Sequence, residues 1–423
     1  MKQLGLLSVE SIAPRVRYEA LFEHLPSLPR RETHRGRSPL SRDALLRAFI
    51  YKALRRVKSL TDLSFEFYNN PMLCQSVGFN PYHTPPSIER FSRFLRETPH
   101  FVLQDIRTQL VRTNLQEDTI SGKHLVMDSC PIVAKVRENN LKSSVSHRFD
   151  KTRRPKGDPD ARLGIVIHFP QPFKKEIQCF WGYRNHIVAD ADEELPLWEV
   201  THPADRSEVH QALPVLRKLK ETFSFPIETV GGDAIYDTET ILCFIVKELK
   251  AKPVIPRNPR NKHTTVIFKG NDVYCEANLP MYRKGKMTVR KTGITYLQYC
   301  CPIHFGKGKH RYLLCPSAHP KFTQQKGCNA LIRLTSSIRE QIDYGSDTFK
   351  ELYKKRTSVE RVFSRLLSIA MQDPPVIGIN AIRNYCTIAH ITVLLVALAA
   401  RRSGHPDKIR FVRSFVPAFL SDS

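Results

Sequence analysis

"IETVGGDAIYD", residues 227–237, is the stretch on which the fold turns. A β-type run ends in two glycines and then a carboxylate, Asp233, where the loop after a strand leaves a crevice at the sheet's edge, the usual place for ligands in open α/β sheets. Gly231 and Gly232 are expected to let the backbone turn sharply there. A second acid stands upstream. Asp128 interrupts the apolar run "HLVMDSCPIV" (124–133), where a buried carboxylate without a partner would be costly, so it calls for a cation or a hydrogen-bond network.

A third acid lies in a predicted helix, "ELYKKRTSVERVFSRLL" (351–367). Val359, Val362, Phe363, Leu366 and Leu367 give its core-facing stripe, and Glu360 stands beside them with Arg356 and Tyr353 one and two turns earlier. Arg356 suits a forked contact to phosphate, and Tyr353 can donate a hydrogen bond or stack on a base. Three carboxylates from two strands and a helix can hold hard divalent cations. Two such ions roughly 3.5 to 4 Å apart would stabilise the attacking and leaving oxygens of an in-line displacement at phosphorus. Taken singly, each acid has a plainer reading, since an aspartate after a strand is commonly a surface or capping residue.

The chain of 423 residues is long enough for two or three units and a large core. Its 66 Lys and Arg against 41 Asp and Glu leave a formal charge of +25, which points to a polyanion, nucleic acid first. Ten cysteines without framework spacing and an N-terminus without a signal-peptide pattern predict a reducing, cytoplasmic and nucleoid-associated location. The longest apolar run, "CTIAHITVLLVALAA" (386–400), falls short of the roughly 20 residues of a membrane span and contains His390. It reads as a buried helix, and no membrane partner is expected.

Residues 1–115 read as a helical, DNA-binding unit. "SRDALLRAFIYKALRRV" (41–57) has Ser41 as N-cap, "SLTDLSFEFYNNP" (59–71) opens on Ser59 with Asp62 three residues on, and "SIERFSRFLRET" (87–98) opens on Ser87. In the last of these, Arg90, Arg93 and Arg96 form a basic stripe on the side away from Ile88, Phe91 and Leu95, either a DNA-facing surface or an ordinary solvated face.

Residues 116–255 read as three strands, helix, strand, helix, strand, a mixed α/β layer with helices packed on a sheet. Within them "HRFDKTRRPKGDPDARLG" (147–164), with Asp158 and Asp160, reads as a mobile basic loop. Asp190, Asp192 and Glu193 read as a solvated hairpin turn, and Asp237 as the cap of the helix "TETILCFIVKEL" (238–249). His186 is either a core histidine or a group facing the crevice. Residues 256–340 form a β-rich insertion, 341–400 the rest of the α/β part, and 401–423 a tail. The insertion's Cys275, Cys300, Cys301, His304, Cys315, His319 and Cys328 are ligand types for a structural Zn2+, although the spacing is not that of a standard finger and half-buried cysteines of a β domain are the alternative. Clusters such as "RKGKMTVRK" (283–291), "GKGKHR" (306–311) and "YKKR" (353–356) would track a DNA backbone.

The pieces "MDSCPIVA" (127–134), "FWGYRNHIVAD" (180–190), "GGDAIYDT" (231–238) and "RTSVERVFSRL" (356–366), in that order, resemble insertion-sequence transposases of the DDE superfamily, whose catalytic domain is ribonuclease-H-like. The segments 41–71 and 86–96 look like the helical DNA-binding domain at the front of such proteins. The resemblance covers most of the chain. It implies that Asp128, Asp233 and Glu360 are the catalytic triad and ligate Mg2+ or Mn2+, and that a β insertion lies between the second and third acid. One branch carries a Tyr, Arg, Glu and Lys signature on the last helix. Tyr353, Arg356 and Glu360 match it, Leu367 stands where the lysine is expected, and Arg365 is the candidate substitute, with Arg361 beside it as a further DNA contact. The implied function is binding of the element's terminal repeats, metal-dependent cleavage and strand transfer, with double-stranded DNA as partner and a homodimer in the synaptic complex. The alternatives are a non-catalytic DNA-binding repressor or decayed transposase, and a nuclease without strand transfer.

Overall fold

The computed structural model describes residues 18–29, 40–171, 174–258, 267–269, 272–290, 293–305, 314–316, 327–412 and 414. His319 and the basic segment 306–311 lie outside them. The chain clusters into two units, one of residues 1–236, 244–255 and 346–423, the other of residues 237–243 and 256–345.

The first unit opens with helices α1 (Arg42–Arg55), α2 (Leu60–Asn69), α3 (Pro71–Val77), α4 (Ile88–Glu97) and α5 (His100–Gln116). Local sequence sets their starts. The Ser41 hydroxyl accepts from the Ala44 amide, Ser59 and Asp62 form a reciprocal capping box, and Pro71 sits in the first turn of α3. Ser87 stands at the start of α4 without making a side-chain cap. The buried face of α4 is Phe91, Phe94 and Leu95, while Ile88 is 44% exposed, contrary to the expected stripe.

A mixed sheet follows, built from β1 (His124–Val133), β2 (Arg162–Gln171), β3 (Lys174–Asp190), β4 (Pro196–Pro203), β5 (Thr229–Gly232) and β6 (Lys252–Val254). Its order is β2, β3, β1, β5, β6, with β4 also paired to β3. The β1–β3, β2–β3 and β3–β4 pairs are antiparallel; β1–β5 and β5–β6 are parallel. Four strands therefore precede helix α6 (Glu208–Thr222), not three, because β2 takes up residues 162–164 of the expected loop and continues to Gln171. The end of that loop is pinned: Asp158 is fully buried and accepts from the Tyr183 hydroxyl at 2.8 Å, and Asp160 accepts from the Ile379 amide at 3.0 Å.

The chain then reaches α7 (Glu239–Cys243), followed by π-helical turns over Phe244–Glu248. The last helices of the first unit are α9 (Asp347–Lys354), α10 (Thr357–Ser368) and α11 (Ile379–Arg402). Among the described residues one helix, α11, is long and apolar enough to cross a membrane, but 94% of its apolar window is buried inside the protein, where it packs against α5, α4, α1 and β4. Its burial is the fate expected of "CTIAHITVLLVALAA".

The second unit contains the hairpin β7 (Ile267–Lys269) and β8 (Asp272–Tyr274), the antiparallel sheet β11 (Asn329–Arg333), β10 (Ile294–Cys300), β9 (Tyr282–Val289), and a helical turn α8 (Pro302–Phe305). Asp237 does not cap α7. Thr238 accepts from the Ile241 amide in that role, while Asp237 takes the Arg339 guanidinium at 2.7 Å and the Asn258 amide at 2.9 Å. Glu239 beside it binds Arg333 and Arg339.

Candidate active site

Strand register explains why Asp128 and Asp233 meet. β1 and β5 are parallel neighbours with Met127 opposite Gly232, so the next residue on each strand is an aspartate and the two lie side by side, about one strand spacing apart. Gly231 and Gly232 do not serve a left-handed turn, for neither has positive φ. They allow close approach: a Cβ on Gly232 would lie 2.9 Å from the Tyr236 ring and 3.3 Å from Met127.

The third acid arrives from α10. The expected single helix is two, α9 and α10, joined at Lys355 and Arg356, which keep helical φ and ψ. Arg356 therefore still stands one turn before Glu360, and its Nη2 is 2.7 Å from Glu360 Oε1. Its Nη1 lies 2.8 Å from Asp233 Oδ1 and 3.9 Å from Asp128 Oδ2. One guanidinium thus joins all three carboxylates. Side-chain exposure climbs from 20% at Asp128 through 45% at Asp233 to 57% at Glu360, which makes Asp128 the floor of the site and Glu360 its rim.

Burial and the neighbouring charge of Asp233 push the Asp128 carboxyl up to about 7, against the Ser129 amide, which donates to Asp128 Oδ1 at 2.7 Å. Glu208 at the start of α6 adds to the push, and Arg356 opposes it. Tyr353 is half-buried and stacks on Phe349; burial raises its hydroxyl, and Arg356, Asp233, Glu360 and Asp128 all act on it electrostatically.

Two groups here carried no sequence flag. Arg184 on β3 ion-pairs with Glu208 and reaches the Ser129 hydroxyl at 3.3 Å and the Ile165 carbonyl at 3.0 Å. The run "GYRN" and the helix start "RSEVH" hold them, but nothing in the pattern links residue 184 to residue 208. His186 is a core group: it is 4% exposed, lines a small cavity with Asp128 and Glu208, and burial with His202 and Arg184 nearby drives its pKa down to about 3.

Arg361 and Arg365 point away from the acids to the β3–β4 turn, where Arg361 Nε lies 2.5 Å and Arg365 Nη2 3.0 Å from the Glu194 carboxylate. That turn is not solvated as expected. Asp190 is fully buried and accepts from the Ser121, Gly122, Asp192 and Glu193 amides, and Lys355 reaches Asp192 at 2.6 Å. On α4, Arg90 and Arg96 are exposed and Arg93 is held by Glu89 at 2.6 Å and Glu97 at 3.6 Å. Leu367, at the position of the missing lysine, is 36% exposed.

Among the described residues no group of three or more His, Cys, Asp or Glu side chains stands ready to hold a metal ion. The donor set of Asp128, Asp233 and Glu360 nevertheless fits a hard cation, since it is all oxygen, one member is desolvated and the three already share a positive charge.

Residues 167–395 match the family described as Transposase DDE domain, and the chain belongs to that family. No curated protein matches the chain. Among solved structures it is similar to one titled as a cryo-EM structure of a piggyBac transposase synaptic complex with hairpin DNA, at 11% identity and a TM-score of 0.37 over 97% of this chain and 81% of that one.

Proposed function

We propose that this chain is the transposase of an insertion sequence, binding the element's terminal repeats and, with Mg2+ or Mn2+, cutting and rejoining DNA on a ribonuclease-H-like core. The observation that carries this reading is the convergence of Asp128, Asp233 and Glu360 on the single guanidinium of Arg356. These acids would hold the divalent ions. When bound, such ions lower the pKa of an attacking hydroxyl and neutralise charge on the phosphate. The chain's own groups prepare the site: the Ser129 amide fixes Asp128 Oδ1, and the Arg184–Glu208 pair braces the floor beside it. Arg356 would exchange carboxylates for a DNA phosphate, with Tyr353 flanking the strand. Exposed Arg90 and Arg96, with Arg93, would contact the repeat DNA, and synapsis of two ends makes a homodimer the working assembly.

Asp128→Asn, Asp233→Asn and Glu360→Gln proteins should each lose cleavage of end-containing DNA by at least about a hundredfold while still binding it. Folded, DNA-binding variants that cut as well as the parent would overturn the triad. A plasmid-target assay distinguishes joining from simple hydrolysis, since a nuclease would leave no joined product.

A further inference from the structure

The second unit has a small apolar cluster: Val273, Met281 and Ala330 are buried, with Cys275, Tyr299, Cys328 and Ile332 packed against them. Along β9 nearly every residue is exposed. Small modules with so little core usually need a covalent or metal staple. Two cysteines far apart in sequence, Cys275 and Cys328, pack on this core, and Cys301 meets Cys328 beside it. The side chains of Cys301 and Cys328 are hydrogen-bonded, Cys275 acts on Cys328 electrostatically, and the Cys301 amide donates to the Cys328 carbonyl at 2.8 Å. His304 follows Cys301 by three residues across α8, which turns both to one side. A Cβ at Gly327, the residue before Cys328, would lie 2.4 Å from Cys301 Cβ and 3.0 Å from His304 Cβ, so only glycine lets the two segments come this close.

We propose that Cys275, Cys301, Cys328 and His304 form a structural Zn2+ site that clamps the ends of β8, α8 and β11 into one knot. Three thiolates and one imidazole make a closed tetrahedral set with no open position, and it is independent of the acids of the catalytic reading. Without metal the four side chains stand outside coordination range. Binding Zn2+ displaces three thiol protons to solvent and draws the four side chains into coordination range, without any redox change.

The full-length protein, purified without chelator under reducing conditions, should contain about one zinc per chain by elemental analysis. Refolded with Co2+, it should show thiolate-to-cobalt charge-transfer absorption and tetrahedral d–d bands. Cys275→Ser, Cys301→Ser and Cys328→Ser should each lower bound zinc severalfold, His304→Cys should keep it while shifting the cobalt spectrum, and Cys179→Ser should leave both unchanged. If the serine variants do not fold, the wild-type cobalt spectrum still decides. Less than roughly half an equivalent of zinc in the wild type, a cobalt spectrum without sulfur ligation, or a Cys301–Cys328 disulfide found by mass mapping would overturn the site. Retention of zinc by the Cys301→Ser and Cys328→Ser proteins would overturn it equally.

Discussion

Arg356 is the resident cation among Asp128, Asp233 and Glu360, where the proposed function would place divalent ions. Its guanidinium holds three carboxylates that would otherwise repel one another, so on the proposed function it would compete with metal in the absence of DNA. Arg356→Gln should raise the Mn2+ affinity of DNA-free protein by about tenfold, given that charged hydrogen bonds contribute about 1.5 to 3 kcal/mol each, while lowering strand cleavage; Mn2+ titration by electron paramagnetic resonance reads the first effect. Equal or weaker Mn2+ binding by the variant would show that the guanidinium is no competitor. Asp128 sets the pH dependence. Burial and Asp233 push its carboxyl up to about 7 from an ordinary 3.8, so between those pH values the native state holds a proton that the unfolded chain has lost. Stability contributed by this group is therefore present at low pH and declines as pH rises from about 4 to about 7. If Asp128 ligates the ion as proposed, metal affinity should run the other way, rising up to about tenfold per pH unit below 7 and levelling above it, and Asp128→Asn should flatten both trends.

At the level of elements, β3 is the spine to which β1, β2 and β4 are all paired, and Gly182 is its narrowest point. A Cβ there would sit 2.1 Å from the Ile132 carbonyl oxygen and 2.9 Å from the Ala134 amide nitrogen, both backbone atoms. Gly182→Ala should cost about 3 kcal/mol or more in denaturant unfolding, whereas Gly232→Ala, which meets side chains of Tyr236 and Met127, should cost less. The sequence made parts of this layer legible. An acid inside "HLVMDSCPIV" and another after "TVGG" announced two strand-borne carboxylates, and Ser59 with Asp62 announced a helix start. Other parts left no such mark. β2 has Ile165 51% and Ile167 40% exposed, so its apolar residues do not give the half-buried alternation by which strands are recognised. The break between α9 and α10 carries no Pro or Gly, because Lys355 and Arg356 stay helical. Asp190 looks like any turn aspartate until Ser121 and Gly122, distant in sequence, fold under it.

Across the whole first unit, the sheet and the helices are bolted together by a charge buried at their contact. Glu199 on β4 is fully buried, and its carboxylate accepts from Thr387 on α11 at 2.6 Å, Asn185 on β3 at 2.8 Å and Arg107 on α5 at 3.3 Å. Arg107, also fully buried, lays its guanidinium 4.1 Å from the centre of the Trp198 ring, and His390 on α11 completes the set through Asn185 at 3.1 Å. Burial works against the Glu199 anion, yet His390, Arg107 and His100 together hold its pKa below the ordinary carboxylate value. The pair is therefore ionised in the fold, and removing either member strands the other charge without water. Arg107→Met and Glu199→Gln should each destabilise the first unit by about 3 to 5 kcal/mol. The double variant should lose less than the sum of the two, because it strands no charge, and a double-mutant cycle in urea measures the difference directly. Additive losses would mean that Arg107 is held by Trp198 alone and that Glu199 draws its stability from Thr387 and Asn185, leaving no ion pair across the helix and sheet contact.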